Sequence, residues 1–131
     1  MNPKTFLLSR VLSGFPEIKH GFTTKSGDLD PNTFPFLGEK IAVLNQVHGA
    51  DIAVIGKKES HDLLGMPIAH GGSRLLGSYD AVITDQRGIT ISVKTADCTP
   101  ILVFDAKHKV IAAIHAGWRS AAAGILPKTL A

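Results

Sequence analysis

The sequence contains a single cysteine, Cys98, among its 131 residues. One thiol excludes a disulfide within the chain, and with it the disulfide framework typical of small secreted proteins. The sequence also has no N-terminal apolar core followed by a small-residue cleavage site, and no apolar run of about 18 residues, the length that suggests a transmembrane helix. These absences predict a soluble cytoplasmic protein without a membrane partner.

Clustered positive charge is missing as well. The 14 basic and 11 acidic residues give a net charge of +3, and the longest run of Lys or Arg is Lys57-Lys58. A nucleic-acid surface usually carries a basic stripe, so the sequence argues against a nucleic-acid partner. A small anionic ligand is compatible with this mild excess of positive charge.

The length and pattern predict one domain, residues 1–131, of the α+β class. Apolar, β-rich segments predict six strands: IAVLNQVHG (41–49), DIAVIG (51–56), DAVIT (80–84), ITISVK (89–94), PILVFD (100–105) and KVIAAIH (109–115). The last four are expected to pair in order as two hairpins. Segments 21–39 and 56–79 predict loops. The segment WRSAAAGIL (118–126) predicts a short helix that stops before Pro127.

The second hairpin brings the thiol towards a histidine. If residues 105–108 form its turn, Cys98 lies directly opposite His115 on one face, with Cβ atoms about 4.5–5.5 Å apart. This pair suits a shared zinc ion, and it equally suits a nucleophilic thiol whose proton the imidazole accepts. The alternative is structural, since a lone cysteine in an apolar context is usually a small core residue.

A catalytic zinc ion usually has three protein ligands and a water, so a third ligand is needed. His48, which ends an apolar strand in NQVHG, is a candidate. In HAGWR, Arg119 brings a forked cation to the expected start of a helix, where phosphate or carboxylate can bind; a surface ion pair is the alternative. Trp118, the only tryptophan, is interpreted as a packing residue.

Four motifs in this order resemble the YfiH-like family: NQVHG (45–49), DAVIT (80–84), TADCTP (95–100) and HAGWR (115–119). A weaker match, GFTTKSG (21–27), has Lys25 where the family usually has arginine. The family is described both as multicopper polyphenol oxidase (laccase domain) and as purine nucleoside phosphorylase. The resemblance implies a layered α/β/β/α sandwich with mixed sheets, and zinc bound by the motif residues His48, Cys98 and His115.

The resemblance also implies phosphorolysis of adenosine, inosine, guanosine and methylthioadenosine, together with deamination of adenosine. Asp97 and Cys98 are candidate catalytic residues, with Asp97 either moving a proton or orienting a histidine. Arg119 is a candidate for both catalysis and phosphate binding, and Lys25 and Gln46 are candidates for substrate binding.

Three other functions stay open. Polyphenol oxidation with copper is physically weaker, because several copper centres need more ligands than six histidines and one cysteine easily supply. A Cys–His hydrolase would need no metal. A zinc-binding fragment without a complete active site would be no enzyme.

The sequence departs from the family pattern in two ways, and each departure leads to a prediction. The usual GWRG is GWRS here, and Ser120 is expected to crowd a backbone approach at the start of the helix. Family members are much longer than this chain, which is therefore expected to lack the C-terminal half of the family domain. Self-association through the edge left by that half is a further expectation.

Overall fold

The computed structural model describes residues 6–23, 40–68, 73–96 and 98–130. The chain divides into two compact units, residues 1–37 and 38–131. In the first unit, strand β1 (Phe6–Leu7) pairs antiparallel with β2 (Phe22–Thr23). The Ser9 N–H donates to His20 Nε2 at 2.7 Å and so joins the two ends of the segment between these strands. A single domain over the whole chain stays a prediction.

The second unit contains two sheets. Its elements, in chain order, are β3 (Lys40–Asn45), β4 (Ile52–Ile55), α1 (Lys57–Asp62), β5 (Arg74–Ser78), β6 (Ala81–Thr84), β7 (Ile89–Ile91), β8 (Thr99–Asp105), β9 (Val110–Ala116), α2 (Trp118–Ala122) and α3 (Ile125–Leu130). One sheet has the order β5-β3-β7 with parallel neighbours. The other has the order β4-β6-β9-β8 and is mixed, because only β4 and β6 are parallel. The predicted α+β class is confirmed.

The two sheets pack face to face, and a helix covers the far side of the larger one. Ala42 and Ile89 of the smaller sheet share a buried cluster with Val82 of the larger sheet. Successive strand residues point to opposite faces, so Ala81, next to Val82, packs instead with Ile125 of α3. The described residues of the second unit therefore form three layers, sheet on sheet on helix.

The hairpin of β8 and β9 forms as predicted, but its register is different. Asp105 pairs with Val110, and His115 lies opposite Pro100 rather than Cys98. The turn is displaced because the Asp105 carboxylate accepts the N–H groups of Lys107 and His108 at 3.0 and 3.1 Å. The pairing of β8 with β9 differs from the prediction by two residues. Because side chains alternate between faces with a period of two, position 98 stays on the same face as position 115.

The first predicted hairpin, residues 80–94, is wrong. Strand β6 joins the larger sheet between β4 and β9, whereas β7 pairs with β3 in the smaller sheet. The chain crosses between the layers after Thr84, whose buried hydroxyl donates to Ile55 O at 2.7 Å and accepts the Gln86 N–H at 3.0 Å. Both strands still direct an apolar face into the same core, which explains why their patterns looked like one hairpin.

Two further predictions need correction. The predicted loop 56–79 contains α1 and β5, and the Gly56 N–H at the start of α1 is bound by Glu59 Oε2 at 3.1 Å. The single predicted helix after residue 117 is two helices, because the chain turns at Gly124 with φ of 81°. Pro127 lies in the first turn of α3, where a backbone N–H has no helical acceptor. None of the helices in the described ranges is long and apolar enough to cross a bilayer.

Candidate metal centre

The structure brings together three side chains of the types that can bind a metal ion. The donor atoms of His48, Cys98 and His115 all lie within 4.8 Å of one another. His48 lies in the bend between β3 and β4, Cys98 immediately precedes β8, and His115 lies near the end of β9. Burial is graded across the group: His115 is 3% exposed, Cys98 is half-buried and the His48 side chain is exposed. The group is therefore anchored on one side and open to solvent on the other.

Asp80 lies behind this group and binds both histidine segments. Its Oδ2 is 2.8 Å from His115 Nδ1, and the pair is buried. The same carboxylate accepts three backbone N–H groups, from Val47 at 3.1 Å, His48 at 3.0 Å and Gly49 at 2.9 Å. Burial acts to raise the pKa of Asp80, but these hydrogen bonds together outweigh it, so the pKa lies below its ordinary value. The carboxylate is thus held in its charged form.

The backbone of His48 is unusual. Its φ of 60° is in the left-handed region, which is uncommon for a residue other than glycine. The hydrogen bonds from residues 47–49 to Asp80 stabilise this conformation. The His48 and His115 rings meet edge to face, with centroids 5.1 Å apart and planes at 66°. The chain thus bends at His48 and turns its side chain towards His115.

Gly117 leaves room for the group. A Cβ at this position would lie 3.0 Å from Cys98 Sγ and 3.5 Å from His48 Nδ1. The φ of −76° and ψ of 173° are ordinary for any residue, so space, not backbone conformation, distinguishes glycine here. The missing side chain creates a cradle lined by a thiol and an imidazole.

The donor set fits a metal ion. Two imidazoles and a thiolate are the ligands that zinc takes in proteins, and three of them leave a position for a further ligand. The group His48, Cys98 and His115 can hold such an ion, and the cradle at Gly117 lies directly against two of its members.

Both the nitrogen and the oxygen of the Gln46 side-chain amide form hydrogen bonds with the backbone of Lys94. Its Nε2 donates to Lys94 O at 2.6 Å, and its Oε1 accepts the Lys94 N–H at 2.7 Å. These bonds anchor the segment that leads to Cys98 beside the segment that carries His48. Substrate binding by Gln46 stays a prediction. Lys25 and Asp97, the other candidates from the sequence, lie outside the described residues.

Residues 118–120 follow the cradle. Trp118 is 77% exposed, so its interpretation as a packing residue is wrong. The Arg119 guanidinium carbon lies 5.2 Å from the centroid of the Trp118 ring, a cation–π arrangement. Ser120 is fully buried, and its hydroxyl finds no hydrogen-bond partner among the described residues. The expected crowding of a backbone approach by Ser120 stays a prediction.

Sequence reasoning did not assign roles to Asp80 and Gly117. A signal for Asp80 was present, since an acidic residue opens the otherwise apolar strand DAVIT within a motif of the family. No local pattern distinguishes Gly117, because the neighbours that need its space are distant in the chain.

Comparison with known proteins agrees with the four motifs. Residues 31–131 match the family model described as multi-copper polyphenol oxidoreductase laccase. The chain belongs to this family. The resemblance stated from the motifs is therefore confirmed.

Curated members of the family bear the name purine nucleoside phosphorylase. One from Streptomyces coelicolor is 36% identical over 107 residues, which cover 82% of this chain and 39% of the relative. Another, from Bacteroides thetaiotaomicron, is 30% identical over 154 residues, which cover 97% of this chain and 55% of the relative. The chain thus spans about half or less of the length of these relatives.

The fold has a counterpart among solved structures. The hypothetical protein YfiH of Bacillus licheniformis superposes with a TM-score of 0.58 at 24% identity, over 72% of this chain and 33% of that chain. This similarity confirms the YfiH-like fold class.

Proposed function

We propose that this protein is a zinc-dependent purine nucleoside phosphorylase that also deaminates adenosine. The observation that carries the proposal is the cluster of His48, Cys98 and His115, in a chain 36% identical to a purine nucleoside phosphorylase. Bound zinc would supply Lewis-acid chemistry at this cluster, polarising an oxygen and lowering the pKa of a water. Adenosine, inosine, guanosine and methylthioadenosine are the proposed substrates.

In phosphorolysis, an oxygen of inorganic phosphate bonds to ribose C1′ while the bond between C1′ and the purine nitrogen breaks. The purine takes the bonding electrons and a proton, and ribose 1-phosphate is the other product. Arg119 is the proposed phosphate-binding residue, since its exposed guanidinium offers paired donors and it follows by two residues Gly117, which lies against Cys98 and His48. The five-residue helix α2 contributes little dipole, so the proposal relies on this side chain alone.

In deamination, water adds at C6 of adenosine and ammonia leaves, which gives inosine. One proton must pass from the water to the leaving amine. Asp97 is proposed to carry it, because it is adjacent in sequence to Cys98. Lys25 and Gln46 are proposed to contribute to substrate binding.

The deciding experiment is chromatography of the products formed from adenosine with and without phosphate, using wild type and Cys98→Ser. Adenine and ribose 1-phosphate that form only with phosphate are expected, together with inosine that forms in either condition. Both activities should fall to background in Cys98→Ser, since a hydroxyl is a poor substitute for a thiolate ligand. Arg87→Ala, a change of an exposed arginine in the turn before β7, serves as the control that should keep full activity.

Other outcomes would overturn the proposal in distinct ways. Turnover that survives chelation but is lost on alkylation of Cys98 would indicate a metal-free Cys–His enzyme. Oxygen consumption with a phenol by copper-loaded protein, without nucleoside turnover, would indicate polyphenol oxidation. A zinc-containing sample without any turnover would indicate a metal-binding chain that lacks a complete pocket.

A further inference from the structure

We propose that Asp80 is the positioning residue of the metal centre, because one carboxylate sets both the ring of His115 and the backbone that carries His48. This inference rests on the proposed function, since it concerns the metal ligands of the same site. Asp80 is not itself a member of the ligand cluster. It acts through its contacts with the two histidine segments.

The contact between Asp80 and the His115 ring decides which ring nitrogen of His115 is available to bind a metal ion. A carboxylate only accepts hydrogen bonds, so the 2.8 Å contact between Asp80 Oδ2 and His115 Nδ1 places a proton on Nδ1. Asp80 is 0% exposed and His115 is 3% exposed, so water does not compete for this bond. A neutral ring with its proton on Nδ1 has its lone pair on Nε2. Asp80 thus presents His115 as an Nε2 ligand.

The remaining contacts hold His48. Asp80 Oδ1 accepts the N–H groups of Val47 and Gly49, and Oδ2 accepts that of His48 itself. Three successive N–H groups converging on one anion form a nest, which stabilises backbone that would otherwise be strained. The left-handed conformation of His48 lies at the centre of this nest. The His48 side chain reaches the cluster because the His48 backbone is bound to the same carboxylate as the His115 ring.

The substitution Asp80→Asn tests this arrangement without removing a metal ligand. The amide oxygen can keep the two bonds made by Oδ1, but the amide NH₂ replaces Oδ2 and faces two donors, the His48 N–H and the His115 Nδ1–H. The imidazole can relieve this conflict by moving its proton to Nε2, where it blocks the lone pair needed for the metal. Loss of such partners of ligating histidines typically weakens metal binding about 10–100-fold.

Two measurements decide the proposal. Nitrogen-15 NMR of the metal-free protein reports which ring nitrogen of His115 is protonated. We expect Nδ1 in wild type and Nε2 in Asp80→Asn. Competition between the protein and a chelator for Co²⁺ then gives the metal affinity, which should fall about 10–100-fold in the variant.

Asp105→Asn is the matched control. The Asp105 carboxylate also accepts two backbone N–H groups and lies 2.8 Å from a histidine Nδ1, that of His108, but at the exposed turn between β8 and β9. This variant loses the same charge from the same type of contact, but His108 is not a member of the ligand cluster. It should therefore keep wild-type Co²⁺ affinity and the wild-type His115 tautomer.

The outcomes separate this inference from the proposed function. Wild-type protein that binds no Co²⁺ would refute the metal centre itself. Wild-type binding with an undiminished affinity in folded Asp80→Asn would refute the role of Asp80 alone. If Asp80→Asn does not fold, the wild-type spectrum still decides, because a His115 ring protonated on Nε2 would overturn the proposal.

Discussion

Substitution of Gly117 by alanine adds one methyl group to the cradle of the proposed metal centre. The new Cβ would lie 3.0 Å from Cys98 Sγ, whereas non-bonded carbon atoms are best separated by about 3.5–4.0 Å. The sulfur therefore has to retreat by about 0.5 Å, which exceeds the tolerance of about 0.2 Å in metal–ligand distances. We expect metal affinity to fall about 10–100-fold, equivalent to about 1.4–2.7 kcal/mol.

Stability should change far less than affinity. Alanine adopts the φ and ψ of Gly117 without strain, and it restricts the unfolded chain, which stabilises by about 0.4–1 kcal/mol. Gly117 is the N-cap of α2, where alanine is less favourable than glycine. These opposing effects should leave the free energy of unfolding within about 1 kcal/mol of wild type.

The assay is chelator competition for Zn²⁺ or Co²⁺, combined with urea unfolding of the metal-free protein. Gly65→Ala is the matched control, because a Cβ at Gly65 meets no atom within 4 Å. It should keep wild-type affinity. Equal affinity in wild type and Gly117→Ala would refute the steric role of the cradle. A large loss of stability in Gly117→Ala would show that the effect on metal binding comes through the fold.

Two further substitutions test neighbouring residues. Ser120→Ala should raise the free energy of unfolding in urea by about 1 kcal/mol, because it removes a buried hydroxyl without a partner among the described residues. Thr129→Val should instead lower the free energy of unfolding, since the buried Thr129 hydroxyl donates to Ile125 O at 2.7 Å. A Ser120→Ala protein whose stability is unchanged or lower than wild type would contradict the expectation. Arg119→Ala should raise the KM for phosphate much more than the KM for adenosine, while Arg87→Ala should change neither. Equal increases in both KM values would exclude Arg119 as the phosphate-binding residue.

The local sequence predicted the α+β class and most of the strands, because side-chain alternation and turn residues act over a few positions. It also singled out His48, Cys98 and His115 through the motifs that resemble the family. It did not predict the register of β8 and β9, because the Asp105 side chain binds the turn and becomes part of the strand. Zinc binding, the individual catalytic roles and self-association stay predictions.

The pairing of the strands and the surroundings of the His48, Cys98 and His115 cluster could be known only from the tertiary structure. The alternation in β7 predicts a strand, but only packing between layers decides that it pairs with β3 rather than with β6. Asp80 and Gly117 owe their roles to residues more than 15 positions away in the chain, which no local pattern encodes. The sequence by itself determined which side chains are able to bind a metal. The tertiary structure decided that they meet, because only the folded chain places one buried carboxylate behind both histidines and a glycine without a side chain beside the thiol.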